Sequence, residues 1–106
     1  MTPQQLIKMT KALADPTRFR LLQTIARRGE TSCGELVRHF PLAQATISRH
    51  LKILTEAGLV EVRREGQFNY YRMLHEVLDQ YHQALDAALR GGSLRDAAPA
   101  AQQEAL

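Results

Sequence analysis

The first thirty residues of this 106-residue chain carry two runs of apolar residues at helical spacing, each opened by a capping residue and a proline. In the first run, Thr2 can cap the helix and Pro3 suits its first position, where the backbone N–H has no helical partner. Asp15-Pro16 repeats that arrangement, so it ends the first helix and begins the second. Gly29 suits the end of the second helix, because glycine adopts the left-handed conformation that often follows a helix.

Two further helices are predicted between residues 32 and 58. Ser32 and Glu35 have the spacing of a capping box and open a short helix, which Pro41 breaks. A longer helix follows over residues 43–57, and Gly58 closes it. Two such helices joined by a tight turn indicate a helix-turn-helix, which places its second helix in the major groove of DNA.

Beyond Gly58 the pattern changes from helical to alternating. Residues 59–64 and 67–73 are predicted to be strands joined at Glu65-Gly66, and a last helix covers residues 74–90. The predicted fold is mainly α with a small β-hairpin, a winged helix-turn-helix in the order α-α-α-α-β-β-α. This domain covers residues 1–90, and residues 91–106 are expected to form a flexible C-terminal tail.

The fourth helix has one apolar and one polar face. Ile47, Leu51 and Leu54 fix the buried face, while the opposite face offers Gln and Arg side chains that can pair with base edges. The arginines of the hairpin suit contacts with the phosphate backbone. A merely solvated surface is the alternative, which the arginine hairpin disfavours. The candidate DNA-binding residues are Gln44, Thr46, Ser48, Arg49, Lys52, Arg63, Arg64 and Gln67.

Charge is distributed unevenly along the chain, whose net charge is +3. Residues 1–73 hold twelve Lys and Arg against six Asp and Glu, whereas residues 74–106 hold two against five. A basic body suggests a polyanionic partner.

The sequence has no apolar stretch of membrane-spanning length, no signal-peptide core and a single cysteine, Cys33. We therefore expect a cytoplasmic protein with no membrane partner.

The last helix carries an apolar stripe at close to 3.5-residue spacing, which suits pairing with another helix. A chain this small, with apolar stripes on both terminal helices, is expected to share them with a second copy as a homodimer. The stripe could instead pack only on its own domain. The candidate dimerisation residues are Leu6, Leu13, Leu74, Leu78, Tyr81 and Leu85.

Three blocks in this order resemble the arsenic-repressor family, ArsR/SmtB: ALADPTR at 12–18, ATISRHLKILTEAGLV at 45–60 and RREGQFNYYRM at 63–73. The resemblance spans roughly residues 6–90. It implies a winged helix-turn-helix fold and a small homodimeric bacterial repressor that binds an imperfect inverted repeat in double-stranded DNA.

The resemblance also implies that different helices bind DNA and form the dimer. The third and fourth helices, here residues 32–40 and 43–57, would contact DNA, and the first and last helices would form the dimer. Related sequences often begin the DNA-contacting helix with Ser, whereas Ala43 stands there in this chain. The missing cap predicts that Ala43→Ser raises thermal stability.

Many members of the family release DNA when they bind a metal or metalloid ion. One family site uses several cysteines on the third helix, where this chain has Cys33 alone, a poor basis for a site that needs three or four ligands. The last helix has four potential ligands spaced by four, three and four residues, which could hold zinc or nickel or form a solvated flank. These residues are His75, Asp79, His82 and Asp86. The sequence favours no cofactor, closest to the metal-independent autorepressor branch, and leaves a divalent metal as the alternative.

Other function classes have less support in the sequence. It contains no glycine-rich phosphate loop, no nucleophile motif and no recognisable carboxylate pair, so we expect a regulator rather than an enzyme. A winged domain used for protein–protein contact is the alternative to DNA binding.

Overall fold

The structure, a computed structural model, describes residues 1–91. The tail predicted at residues 91–106 lies, apart from Gly91, outside the described residues. The elements are α1 (Pro3–Ala14), α2 (Pro16–Arg28), β1 (Glu30–Ser32), α3 (Cys33–His39), α4 (Gln44–Glu56), β2 (Val60–Glu65), β3 (Phe68–Met73) and α5 (His75–Leu89). All five helices and both strands of the hairpin that the sequence predicted are present, within one or two residues of the predicted bounds.

The predicted caps define the starts of the first three helices. Thr2 Oγ1 accepts a hydrogen bond from the Gln5 N–H at 3.1 Å, and Gln5 Oε1 accepts one from the Thr2 N–H at 2.8 Å. Asp15 caps α2 by accepting from the Arg18 N–H at 3.0 Å. At α3, Ser32 and Glu35 form the same reciprocal pair that opens α1. These caps satisfy backbone donors that a helix leaves without partners at its amino end.

One strand, β1, was not predicted from the sequence. It pairs antiparallel with β3, so the sheet has three strands in the order β1-β3-β2. Three residues, of which only Thr31 is buried, are too few to show an alternating pattern. The strand matters for the site, because it fastens the hairpin to the segment that leads directly into α3.

Helices α2, α3 and α4 enclose the centre of the core with the base of the hairpin. The fully buried side chains include Leu21, Ile25, Leu36, Ile47, Leu51, Leu54, Leu59 and Val60. The predicted buried face of α4 is therefore confirmed, and it fixes which face of that helix meets solvent. Within residues 1–91, no helix has the length and apolar character needed to cross a membrane.

The terminal helices pack against each other in a single chain. Tyr81 on α5 is 9% exposed and its hydroxyl lies 2.8 Å from Thr10 Oγ1 on α1. Leu6 is 4% exposed, so these two candidate dimerisation residues belong to the core of their own chain and leave little surface for a partner. The other four candidates, Leu13, Leu74, Leu78 and Leu85, are half-buried.

Candidate nucleic-acid interface

Helix α4 presents a polar face to solvent because its apolar face is anchored in the core. Ile47, Leu51 and Leu54 have no exposed surface. Four predicted DNA-contacting residues on the other face are exposed, and Thr46, in the first turn, is half-buried. The four exposed residues are Gln44, Ser48, Arg49 and Lys52.

Contacts outside α4 hold it in place. The Leu42 N–H donates to the Phe40 carbonyl at 2.8 Å in the turn between α3 and α4. Arg18, at the start of α2, donates through Nε to the Ala12 carbonyl at 2.9 Å, and its Nη1 lies 3.5 Å from Nδ1 of His50. His50 is half-buried beside the core face of α4, so this contact links the start of α2 to α4.

An open cleft of about 350 Å³ separates the outer face of α4 from the wing, by which we mean β2, β3 and the turn between them. It contains two cationic side chains, Lys52 from α4 and Arg64 from β2. One carboxylate, Glu56, also borders the cleft, and neutral polar and apolar groups complete its lining, which comprises Ser48, Lys52, Thr55, Glu56, Val62, Arg64, Asn69 and Tyr71. Three residues predicted from the sequence thus line one cleft: Ser48, Lys52 and Arg64.

Arg64 faces this cleft beside its cross-strand partner. Arg64 and Asn69 are paired in the β2–β3 register, and Arg64 Nε donates to Asn69 Oδ1 at 3.3 Å. Asn69 lines this cleft together with Tyr71, which is 9% exposed. Among residues 1–91, Arg64 forms no ion pair with a carboxylate, so its charge remains available to an anion. Asn69 was not among the candidate DNA-binding residues, because its pairing with Arg64 depends on the register of the hairpin.

Arg63 lies on the opposite face of the wing, because successive side chains of a strand alternate. Its guanidinium holds Glu30 of β1 with two hydrogen bonds, Nε to Oε2 at 3.1 Å and Nη2 to Oε1 at 2.9 Å. Arg63 also pairs with Glu65 and lies over the ring of Tyr70, 4.8 Å from its centroid. The hydrogen bond from Arg63 holds the pKa of Glu30 below its ordinary value. Beside this cluster, Arg72 pairs with Glu61.

The turn of the wing carries the last predicted DNA-contacting residue. Gly66 has φ +61°, the left-handed conformation that a tight hairpin turn requires. Gln67 follows it and is exposed at the tip. Phe68, next in the chain, is 53% exposed and packs against Tyr70 with ring centroids 6.5 Å apart.

The candidate metal ligands on α5 do not form a cluster. Within the part of the chain that the structure describes, no three His, Cys, Asp or Glu side chains are placed to hold one metal ion. The four predicted ligands are exposed: His75, Asp79, His82 and Asp86. Burial raises the pKa of the half-buried Cys33 thiol, which opposes its ionisation to the thiolate that binds metal ions.

Comparison with known proteins identifies the family. A model described as a helix-turn-helix domain matches residues 13–63. An arsenical resistance operon repressor of Staphylococcus xylosus is 36% identical over 86 residues, which cover 81% of this chain and 82% of that protein. This chain belongs to the ArsR family of winged helix-turn-helix transcriptional repressors. The expectation of a regulator rather than an enzyme is thereby confirmed.

Other ArsR relatives match in sequence or in fold. An arsenic resistance transcriptional regulator of Pseudomonas putida is 48% identical over 81 residues, covering 76% of this chain, which spans only 60% of that relative. An ArsR-like regulator from a Rhodococcus species has a TM-score of 0.75 at 28% identity, with 95% of this chain and 92% of that one covered. A homodimeric winged helix-turn-helix DNA-binding domain from Mycobacterium bovis has a TM-score of 0.67 at 30% identity, with 83% and 82% covered.

Proposed function

We propose that this ArsR-family chain acts as a homodimer that binds double-stranded DNA at an inverted-repeat operator and represses transcription without a metal inducer. The observation that carries the proposal is that α4 and the wing line the same cleft. The exposed face of α4 and the cleft-facing side of β2 border one groove that contains Lys52 and Arg64.

Each part of this surface suits a different part of a DNA duplex. Gln44 and Arg49 have the donors and acceptors that pair with base edges in the major groove. Lys52 and Arg64 supply charge for phosphates, and Ser48 and Thr46 can donate to phosphate oxygens. Gln67 is an exposed polar residue at the tip of the wing that could also reach the duplex.

A dimer would place two copies of α4 on one side of the duplex. Two symmetry-related recognition helices enter successive major grooves about 34 Å apart, so the operator is expected to be a near-palindrome. Exposed apolar residues support a dimer through the terminal helices: Ile7 on α1 is 45% exposed and Leu89 on α5 is 78% exposed. The homodimeric relative from Mycobacterium bovis supports the same assembly.

The absence of a metal inducer is proposed from the available ligands. Names of several relatives refer to arsenic or mercury resistance, but this chain offers one cysteine, with a raised thiol pKa, where a soft ion wants three or four deprotonated ligands. The α5 residues His75, Asp79, His82 and Asp86 remain the alternative site for a hard or borderline divalent ion, in which a second copy would have to supply further ligands.

Fluorescence anisotropy tests DNA binding with a labelled fragment of the gene's own upstream region, at several salt concentrations. Tight binding of one dimer, weakened steeply by salt, is expected, and Arg49→Gln should weaken it. Arg90→Gln is the matched control, since it removes the same charge from the end of α5, where Arg90 pairs with Asp86. Equal losses in the two variants would contradict a specific role for the α4 face.

Two further measurements test the dimer and the effector. Ile7→Glu and Leu89→Glu change exposed side chains, so each should shift sedimentation toward the monomer without unfolding the chain. If neither substitution shifts the sedimentation toward the monomer, the dimer interface lies elsewhere. Zinc calorimetry should detect no tight site, whereas a stoichiometric site that disappears in His82→Ala, together with release of DNA by zinc, would establish the metal-responsive alternative.

A further inference from the structure

We propose that the two neighbouring arginines of the wing have separate tasks: Arg64 contacts the DNA backbone, whereas Arg63 fastens the wing to β1 and does not touch DNA. This inference deepens the proposed function and depends on it for the role of Arg64. It revises the sequence-based grouping of both arginines as DNA contacts.

The position of Arg64 suits contact with an anion. Its side chain borders the cleft that it shares with Lys52 of α4, and its one side-chain partner among the described residues is the neutral amide of Asn69. Asn69 is also the cross-strand partner of Arg64 in the β2–β3 register. The hydrogen bond therefore directs the guanidinium without neutralising its charge, which leaves most of its five donors for phosphate oxygens.

Arg63 has the opposite surroundings. It has two carboxylate partners, Glu30 and Glu65, and the pair with Glu30 is bidentate. A phosphate could engage the Nε–Nη2 edge of this guanidinium only by displacing Glu30, which already fits that fork, and at the remaining donors it would meet the negative charge of two carboxylates. The alternation of the strand also directs Arg63 to the face of the sheet that is turned away from α4.

The pair between Arg63 and Glu30 reaches across the whole sheet. Arg63 is on β2 and Glu30 is on β1, and β3 lies between those strands. The guanidinium extends over the ring of Tyr70, a residue of that middle strand, to reach its partner. Glu30 is two residues before Ser32, the cap of α3. The pair thus links the far strand of the wing to the start of the helix-turn-helix, which would fix the angle between wing and α4.

The test compares Arg63→Gln with Arg64→Gln, two variants that remove the same charge from adjacent positions. The dependence of affinity on salt separates their roles, because each phosphate contact contributes a slope of about 0.9 in a plot of log affinity against log salt. Arg64→Gln should reduce that slope by about 0.9 per subunit, or about 1.8 for the dimer. The variant should therefore bind most weakly relative to the parent at low salt, and this difference in affinity should shrink about tenfold between 50 mM and 200 mM salt. Arg63→Gln should weaken binding by the same factor at every salt concentration.

Conservative variants sharpen the comparison. Arg64→Lys keeps the charge and should retain the parent slope, whereas Arg63→Lys should behave like Arg63→Gln because lysine cannot make the bidentate pair with Glu30. Glu30→Gln should alter affinity in the parent but add nothing in the Arg63→Gln background. Equal slope losses in Arg63→Gln and Arg64→Gln, or additive effects of Glu30→Gln and Arg63→Gln, would overturn the proposal.

A measurement without DNA keeps the inference separate from the proposed function. In the free protein, Arg63→Gln and Glu30→Gln should accelerate hydrogen exchange of the β2 and β3 amides, while Arg64→Gln should leave it near the parent rate. Faster exchange in all three variants, or in none, would refute the anchoring role of Arg63. If the parent protein binds its upstream fragment no better than scrambled DNA, the proposed function and the role of Arg64 fail, whatever the exchange rates show.

Discussion

Substituting Ala43 with Ser should stabilise this repressor, because α4 begins without a side-chain cap. Ala43 is the N-cap residue, with φ −66° and ψ 151°, and no side chain accepts from the first turn. The caps of α1 and α3, Thr2 and Ser32, have nearly the same backbone angles, φ −78° and ψ 158° and φ −91° and ψ 161°. A serine at position 43 therefore needs no change of backbone to accept from the N–H of Ala45, while the Thr46 N–H already donates to the Ala43 carbonyl at 3.1 Å.

The expected gain is about 1 kcal/mol in the free energy of unfolding per subunit, the usual difference between Ser and Ala at an N-cap. Because Ala43 is exposed, the added hydroxyl remains in contact with water after folding, so its desolvation does not offset the gain. In a domain of this size, about 1 kcal/mol corresponds to a rise of roughly 4–8 °C in the midpoint of thermal unfolding.

Urea unfolding followed by circular dichroism measures this gain, at a fixed protein concentration because a dimer's apparent stability depends on it. Ser32→Ala removes an existing cap and should give a loss of similar size. Ala87→Ser, at an exposed position inside α5, makes the same chemical change without a cap and should cost up to about 0.5 kcal/mol. A variant Ala43→Ser that is no more stable than the parent, beside a destabilised Ser32→Ala, would refute the reasoning.

Three further predictions follow from contacts outside α4. Tyr81→Phe removes the hydroxyl that bonds Thr10 across α1 and α5 and should lower the free energy of unfolding in urea by about 1 kcal/mol; an unchanged value would contradict a structural role for that bond. Burial raises the pKa of Cys33, so iodoacetamide should label the folded protein at neutral pH more slowly than the urea-unfolded chain, and equal rates would contradict this. The N–H of Ser32 holds the pKa of Glu35 below its ordinary value of 4.5, so its contribution to stability is complete above pH 4.5 and is lost as the pH falls further; Glu35→Gln should flatten that acid decline, and parallel curves would show that the carboxylate is not responsible.

The sequence predicted the helices well because their ends are marked by local chemistry. Thr2-Pro3, Asp15-Pro16 and the capping box at Ser32 each involve side chains within three residues of the backbone groups they satisfy. The exposed face of α4 could be predicted from helical spacing alone, since Ile47, Leu51 and Leu54 lie on one face of the helix and mark it as the buried one. Information of this kind is contained in a short window of sequence.

The candidate dimerisation residues show the limit of such a pattern. The apolar stripe on α5 predicts which side chains are buried, but it does not predict whether the same chain or a second copy covers them. Tyr81 is covered by α1 of its own chain, with its hydroxyl at Thr10, whereas Leu89 is 78% exposed. Both are apolar residues of α5, and the position of α1, which depends on packing across 71 residues of sequence, makes Tyr81 a core residue.

The wing shows why a pair of adjacent arginines could not be assigned from sequence. Alternation along a strand already places Arg63 and Arg64 on opposite faces, but it does not say which face meets α4 or what lies on the other. That depends on Glu30, which is 33 residues away and belongs to a strand too short to be recognised. Once β1 is placed, the carboxylate of Glu30 meets Arg63 and the cleft beside Lys52 meets Arg64, so two identical side chains acquire different chemistry from the sheet order alone.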